Sequence, residues 1–147
     1  KQYNAGANNF HYFANQVAQA RDGQHLKSPT LMNIVTRVPI GPVGTITPWN
    51  TPFVLSTWKI AKALAAGCTV VHIPEGLSPP TARLLVEIAE AAGLRPRILN
   101  TVNGFGEEAG KAVCEHPKIK PTAFARESKN RVSNCQTRSR CTQAQSP

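Results

Sequence analysis

An open α/β fold, a parallel sheet with helices on both faces, is what this 147-residue sequence predicts. Three observations carry the prediction. Short runs rich in β-branched residues recur at about 43–47, 69–73 and 98–102, and a fourth candidate strand lies at 121–125. Longer stretches between them repeat their apolar residues at helical spacing. Proline and glycine punctuate the junctions, as breakers do between elements. Strand and helix in strict alternation call for right-handed crossovers and a parallel sheet.

The elements follow in order. Phe10, Phe13, Ala14, Val17 and Ala18 give one apolar face to an N-terminal helix over about 8–21, and Asp22-Gly23 stops it. A polar stretch runs to Ser28-Pro29. The run MNIVTRVPIGPVGTITP then reads as an extended pass, a turn, and a buried strand at about 43–47. Pro52 suits the first helical position, where a missing N–H costs nothing. Val54, Trp58, Ala61 and Ala65 mark the buried face of that helix, and Gly67 ends it. The second strand, 69–73, is bounded by Pro74. Ser78 reads as an N-cap, Pro79 as the first helical residue, and Ala82, Leu85, Val86 and Ala89 as the buried stripe. Gly93 is placed for a left-handed C-terminal cap. A third strand at 98–102, a helix at about 106–114 stopped by His116-Pro117, and a fourth strand at 121–125 complete the pattern.

Residues 1–125 form one expected domain. Residues 126–147 hold Arg126, Lys129, Arg131, Arg138 and Arg140 against Glu127, with few apolar residues. Such a segment cannot bury enough surface to offset its ordering entropy, so a basic, disordered tail is expected.

Composition narrows the function. Seventeen Lys+Arg against eight Asp+Glu give a formal charge of +9. The charge attracts polyanions casually. No aromatic interleaving with the basic residues marks a specific nucleic-acid binder. No apolar run approaches the ~18 residues of a spanning helix. The four cysteines, at 68, 114, 135 and 141, lack C-x-x-C spacing, and the four histidines lack metal spacing. A reduced, cytoplasmic protein without a metal is the expectation. The opening KQYNAGANNF has neither a signal pattern nor an initiator Met, which reads as a fragment.

Two constellations could carry chemistry, both where loops leave the carboxyl ends of strands. Gly104-Phe105-Gly106-Glu107-Glu108-Ala109 fits G-x-G-x-x-G/A after a strand and before a helix. Glu107 and Glu108 would satisfy that helix start themselves and repel a phosphate, so a tight turn is favoured over a pyrophosphate site. An apolar wall for adenine survives the objection. In Thr47-Pro48-Trp49-Asn50-Thr51-Pro52, two prolines stiffen the backbone around an indole and a carboxamide. An Asn amide suits an oxyanion, but Asn also suits a helix N-cap and Trp a core.

The blocks VPIGPVGTITPWNTPFVLSTWKIAKALAAGCTVV, SPPTARLLVEIAEAAGL, ILNTVNGFGEEAGKAV and EHPKIK, in this order and spacing, resemble the NAD(P)-dependent aldehyde dehydrogenase superfamily over roughly 8–125. The wording ARDGQHLKSPTLMN, TPWNTPF, GCTVVH and NGFGEEAG is most similar to 5-carboxymethyl-2-hydroxymuconate semialdehyde dehydrogenases of aromatic catabolism. The resemblance implies part of a Rossmann-like NAD-binding domain. It implies oxidation of a small-molecule semialdehyde to the carboxylate with NAD (or NADP), in homo-oligomeric complete relatives. It makes Asn50 the oxyanion-hole residue. It aligns Ile46, Thr47, Pro48 and Trp49 along the cofactor's ribose and phosphates, and Gly106 beside the adenine. Glu127-Ser128 agrees with the semialdehyde version, which adds Ser128 to the cofactor set. Lys59 lies in the matching helix and receives no chemical role.

The departures are informative. The family's Lys-Pro-x-Glu, which holds the adenosine ribose, is replaced by Ile73-Pro74-Glu75-Gly76. Each charge-assisted bond of that kind contributes about 1.5–3 kcal/mol, so weak cofactor binding is expected. Arg126 and Arg131 stand where the family has glycines. The family's nucleophilic Cys and general-base Glu have no counterpart beyond Ser128, and an inactive fragment or a vestigial dinucleotide-binding module is the expectation.

Overall fold

The computed structural model describes residues 2–20, 24–27, 32–49, 51–75 and 79–124. Helix α1 (Gln2–Gln19) leads into a strand pair, β1 (Gln24–Lys27) and β2 (Met32–Val35), antiparallel with Gln24 opposite Val35. The main sheet follows: β3 (Val43–Thr47), α2 (Pro52–Ala65), β4 (Val70–Pro74), α3 (Pro79–Ala91), β5 (Leu99–Thr101), a π-turn (Gly106–Gly110), α4 (Lys111–Glu115) and β6 (Lys120–Phe124). Its order is β5-β4-β3-β6, and every neighbouring pair is parallel. The α/β class and the four strands expected from the sequence are therefore present, each within a residue or so of its expected bounds.

Side-chain alternation along β3 puts helices on both faces. Thr45 and Thr47 meet α2 and His72. Gly44 and Ile46 point the other way, toward Val113, Ile119 and Gly110. The apolar core on the α2 side gathers Ile60, Val70, Leu85 and Leu99, with Phe10, Phe53, Val86 and Leu94 packed against it. At Gly44 an added Cβ would lie 2.5 Å from Val113 Cγ1, so this glycine is what lets α4 approach the sheet.

Both long crossover helices stop by the same device. Gly67 and Gly93 take left-handed φ of 74° and 94°. The N–H of Cys68 reaches Ala63 O, and that of Leu94 reaches Ala89 O, closing a Schellman turn each time. Pro79 opens α3 as expected; the Ser78 cap and the Asp22-Gly23 stop lie outside the described residues. Among the described residues β6 borders only β3, a position that tolerates Pro121. The register against β3 shifts between Gly44 and Thr45, where Pro121 lacks a donor.

Three details differ from the sequence reading. Helix α1 starts at Gln2, not near residue 8, because Tyr3 stacks on Phe53 at 5.2 Å and Gly6 admits the Phe53 ring against the helix. The polar segment 24–27 is a strand, because pairing with 32–35 supplies hydrogen bonds that its own composition does not advertise. The buried side of α2 is Ser56, Thr57, Ile60 and Ala61, and Trp58 is 48% exposed. Helix α2 is flanked by the sheet and by α1, so its buried arc is set by two neighbours. Trp58 lies under α1, edge-on to Phe13 at 5.9 Å, and Asn9 Nδ2 donates to Thr57 Oγ1 at 3.0 Å.

Candidate functional site

Because the strands are parallel, the segments after Thr47, Pro74 and Thr101 all leave the same edge of the sheet. From β3 the chain steps to β4 and β5 on one side, then returns to lay β6 on the other. Strand order therefore reverses between β3 and β6, and that reversal opens the crevice in which such sheets take ligands. Pro48-Trp49 emerges there.

This rim is laced by backbone and carboxylate. Trp49 N–H donates to Glu75 Oε2 at 3.2 Å, and Glu75 N–H donates to Thr47 O at 3.1 Å. The loop after β3 is thereby tied to the loop after β4. Trp49 is 52% exposed, which leaves its indole available at the crevice. Thr47 is turned inward, its hydroxyl hydrogen-bonded to Ser56 Oγ at 3.3 Å, so its side chain supports the rim from below.

Beneath the rim runs a buried polar chain. Thr45 Oγ1 lies 3.1 Å from His72 Nδ1, and His72 Nε2 lies 3.1 Å from Ser56 Oγ. Burial lowers the His72 pKa to about 4, with nearby Lys59 adding to the effect and a hydrogen bond at Thr45 opposing it. The imidazole is therefore neutral near pH 7, able to donate through one nitrogen and accept through the other. Lys59 Nζ donates to Ile46 O at 2.9 Å. Its pKa falls to about 8, through burial first and Lys62 second.

The Gly104–Ala109 segment has a packing logic. A Cβ on Gly104 would lie 2.8 Å from Ala109 Cβ. The N–H groups of Glu108 and Ala109 both bond Phe105 O, at 3.0 and 2.9 Å, while Glu107 and Glu108 occupy the first turn. Two backbone donors of this first turn are thus engaged within the turn itself. The turn crosses back over β3, so that a Cβ added at Gly110 would lie 3.7 Å from Ile46 Cδ1. Phe105, 75% exposed, stands beside half-buried Gly106.

Of the residues expected at the site, the fold thus gathers Ile46, Thr47, Pro48 and Trp49 on one strand end, with the Gly106 turn packed over it. Asn50 and Ser128 lie outside the described residues, as do Gly76, Arg126, Arg131 and the 126–147 tail. Ile73, where the resemblance would place a ribose-binding lysine, is 1% exposed. Sequence reasoning gives Lys59 no chemical role and considers Glu75 only as a ribose ligand set one position early, which would need the loop to re-route. The signal for Lys59 was present: a lysine between Trp58 and Ile60 in an otherwise apolar stretch. Glu75 had none, since its partner is a backbone amide 26 residues away. Cys68 and Cys114 are both buried, Cys68 just ahead of β4 at the opposite edge of the sheet. Among the described residues no three His, Cys, Asp or Glu converge as a metal site, and no helix is long and apolar enough to cross a membrane.

A strand-order reversal in a parallel sheet covered by helices on both faces defines the class as an open, doubly wound α/β domain with a ligand crevice at the reversal. The particular family is the aldehyde dehydrogenase family, to which this chain belongs: the family model matches residues 1–129. The chain is 44% identical over 129 residues to a 2-aminomuconic 6-semialdehyde dehydrogenase of a Pseudomonas species, covering 84% of this chain and 26% of that protein. It is 45% identical over 121 residues to the chloroplastic betaine aldehyde dehydrogenase of Beta vulgaris, covering 78% and 24%. Among solved structures, HpcC from Thermus thermophilus matches with a TM-score of 0.76 and 45% identity, over 82% of this chain and 24% of that one. The NAD+ complex of an aldehyde dehydrogenase from Bacillus cereus matches with a TM-score of 0.77 and 36% identity, over the same shares. The chain thus spans about a quarter of the length of these relatives.

Proposed function

We propose that this chain holds the dinucleotide side of a semialdehyde-oxidising dehydrogenase, with Ile46, Pro48 and Trp49 along the cofactor and Thr47 supporting them. The observation that carries the reading is the strand-order reversal beside β3, which sets Trp49 at the crevice. The residues present fit a flat ring against the indole and the Gly106 turn. They fit an adenosine ribose poorly, because Ile73 is buried and Glu75 is bonded to Trp49 N–H. NAD, when bound, supplies the hydride acceptor. Asn50 would present a neutral amide to the oxyanion formed when a thiolate adds to an aldehyde. Neither Cys68 nor Cys114 can be that thiolate, being buried away from the rim. In this proposal the chain by itself binds NAD weakly and does not turn over. Ser128 joins the cofactor set, and the substrate class is a semialdehyde of aromatic catabolism.

Titration calorimetry with NAD tests the reading. Millimolar affinity, quenching of Trp49 but not Trp58 fluorescence, and no NADH production from a semialdehyde are the expected results. Micromolar affinity without turnover favours a self-sufficient dinucleotide-binding module instead. Turnover by the purified chain refutes inactivity. The double substitution Ile73→Lys with Gly76→Glu is expected to tighten NAD by about a hundredfold or more, since each of the two charge-assisted bonds adds about 1.5–3 kcal/mol.

A further inference from the structure

A second recess lies between the extended segment before β3 and the later turns of α2. It encloses about 240 Å³, and its wall is mostly apolar: Val38, Ile40, Ala63, Ala66 and Cys68, with Lys59 among them. Lys59 is held in place by its bond to Ile46 O at 2.9 Å. Lys62, one turn along, also borders the recess, but it is exposed and sits 5.7 and 5.6 Å from the Phe13 and Trp58 ring centroids. A fixed amine on the wall of an apolar cavity is the arrangement that reactive lysines use toward carbonyl compounds.

We propose that Lys59 and this cavity form a covalent capture site for small apolar aldehydes, held as an imine. The Nζ lone pair bonds to the carbonyl carbon while the carbonyl π pair moves to oxygen, which takes a proton. The carbinolamine then loses its hydroxyl with the remaining Nζ proton as water, leaving C=N. No electrons are gained or lost. The apolar wall favours release of that water and accepts the aldehyde's chain. Among the described residues, the titratable groups near Lys59 include Lys62 on α2, His72 on β4, neutral near pH 7, and Cys68 on the cavity wall. Burial and Lys62 bring the Lys59 pKa to about 8. Near pH 8 its neutral fraction is therefore on the order of a hundredfold that of an ordinary lysine.

The full chain is incubated with butanal and sodium cyanoborohydride, which reduces the imine to a stable secondary amine, and the peptides are mapped by mass spectrometry. Any hemithioacetal at Cys68 reverses and is not trapped. Labelling of Lys59 at pH 8 is expected to exceed that of Lys62 in the same sample on the order of tenfold, with the ratio falling as the pH is raised above 8, where an ordinary lysine also loses its proton. Lys59→Arg should abolish the site. Ala66→Phe, at an exposed position on the rim, should cut Lys59 labelling on the order of tenfold and leave Lys62 unchanged; circular dichroism checks that both variants fold. Labelling that follows exposure alone, or Lys59 labelling undiminished by Ala66→Phe, overturns the proposal. Neither readout involves NAD, so the result is independent of the dinucleotide reading.

Discussion

On the face of β3 that α2 covers, Thr45 and Thr47 join His72 and Ser56 in a buried hydrogen-bonded chain. On the face that α4 covers, Gly44 and Ile46 meet Val113, Ile119 and Gly110 by steric fit alone. The first face is specified by donors and acceptors that have nowhere else to go. The second is specified by the absence of a side chain. Both locate a helix against the same strand, but they should fail differently. A polar chain fails when one member leaves and strands the others. A close approach fails when an atom is added.

The largest loss is expected from His72→Ala, about 4 kcal/mol. It opens a cavity, takes the imidazole partner from the buried Thr45 hydroxyl and leaves Ser56 only its bond to Thr47. The triple substitution Thr45→Val, Ser56→Ala, His72→Leu should lose less, because the cavity is refilled and only the Thr47 hydroxyl loses its partner; urea denaturation compares them. If the triple variant falls as far as the single one, the polar chain is not what specifies this face. Gly44→Val should cost about 3 kcal/mol through collision with Val113. Adding Val113→Ala should recover part of it, whereas the same rescue should do nothing for His72→Ala.

Acid should act on the polar face alone. The folded pKa of His72, about 4, lies below its ordinary 6.5. The unfolded chain therefore takes up the proton first. Stability is full above about pH 6.5 and declines as pH falls toward 4, by about 3 kcal/mol from this group. Thermal melts at stepped pH should show the decline in the natural chain and less of it in His72→Leu. The smallest effect is expected from Thr47→Val, about 1 kcal/mol, since Ser56 keeps its bond to His72.

Local chemistry made much of this molecule legible without coordinates. Gly67 and Gly93 terminate helices because φ near 74° and 94° suits a residue without Cβ. Pro52 and Pro79 open helices because a first-turn N–H has no partner to lose. Ala82 and Leu85 are buried because their spacing leaves one stripe on α3. The site was legible as far as the strand mouth, in Pro48 and Trp49. It was not legible in Glu75, whose hydrogen bond to Trp49 joins two loops by way of an intervening helix. Nor was it legible in the His72 relay, which depends on β3, α2 and β4 meeting.

What the amino-acid order determined by itself is the strands and crossover helices of the main sheet, their glycine and proline ends and the apolar stripe of α3, because those follow from backbone preferences and spacing within one turn or one strand. What the tertiary structure decided is which strands adjoin and therefore where the crevice opens. It also decided why Trp58 lies under α1 and why Lys59 ends against Ile46 O beside an apolar hollow. Those outcomes rest on contacts between residues distant in the chain, and no local preference encodes a neighbour that arrives only on folding.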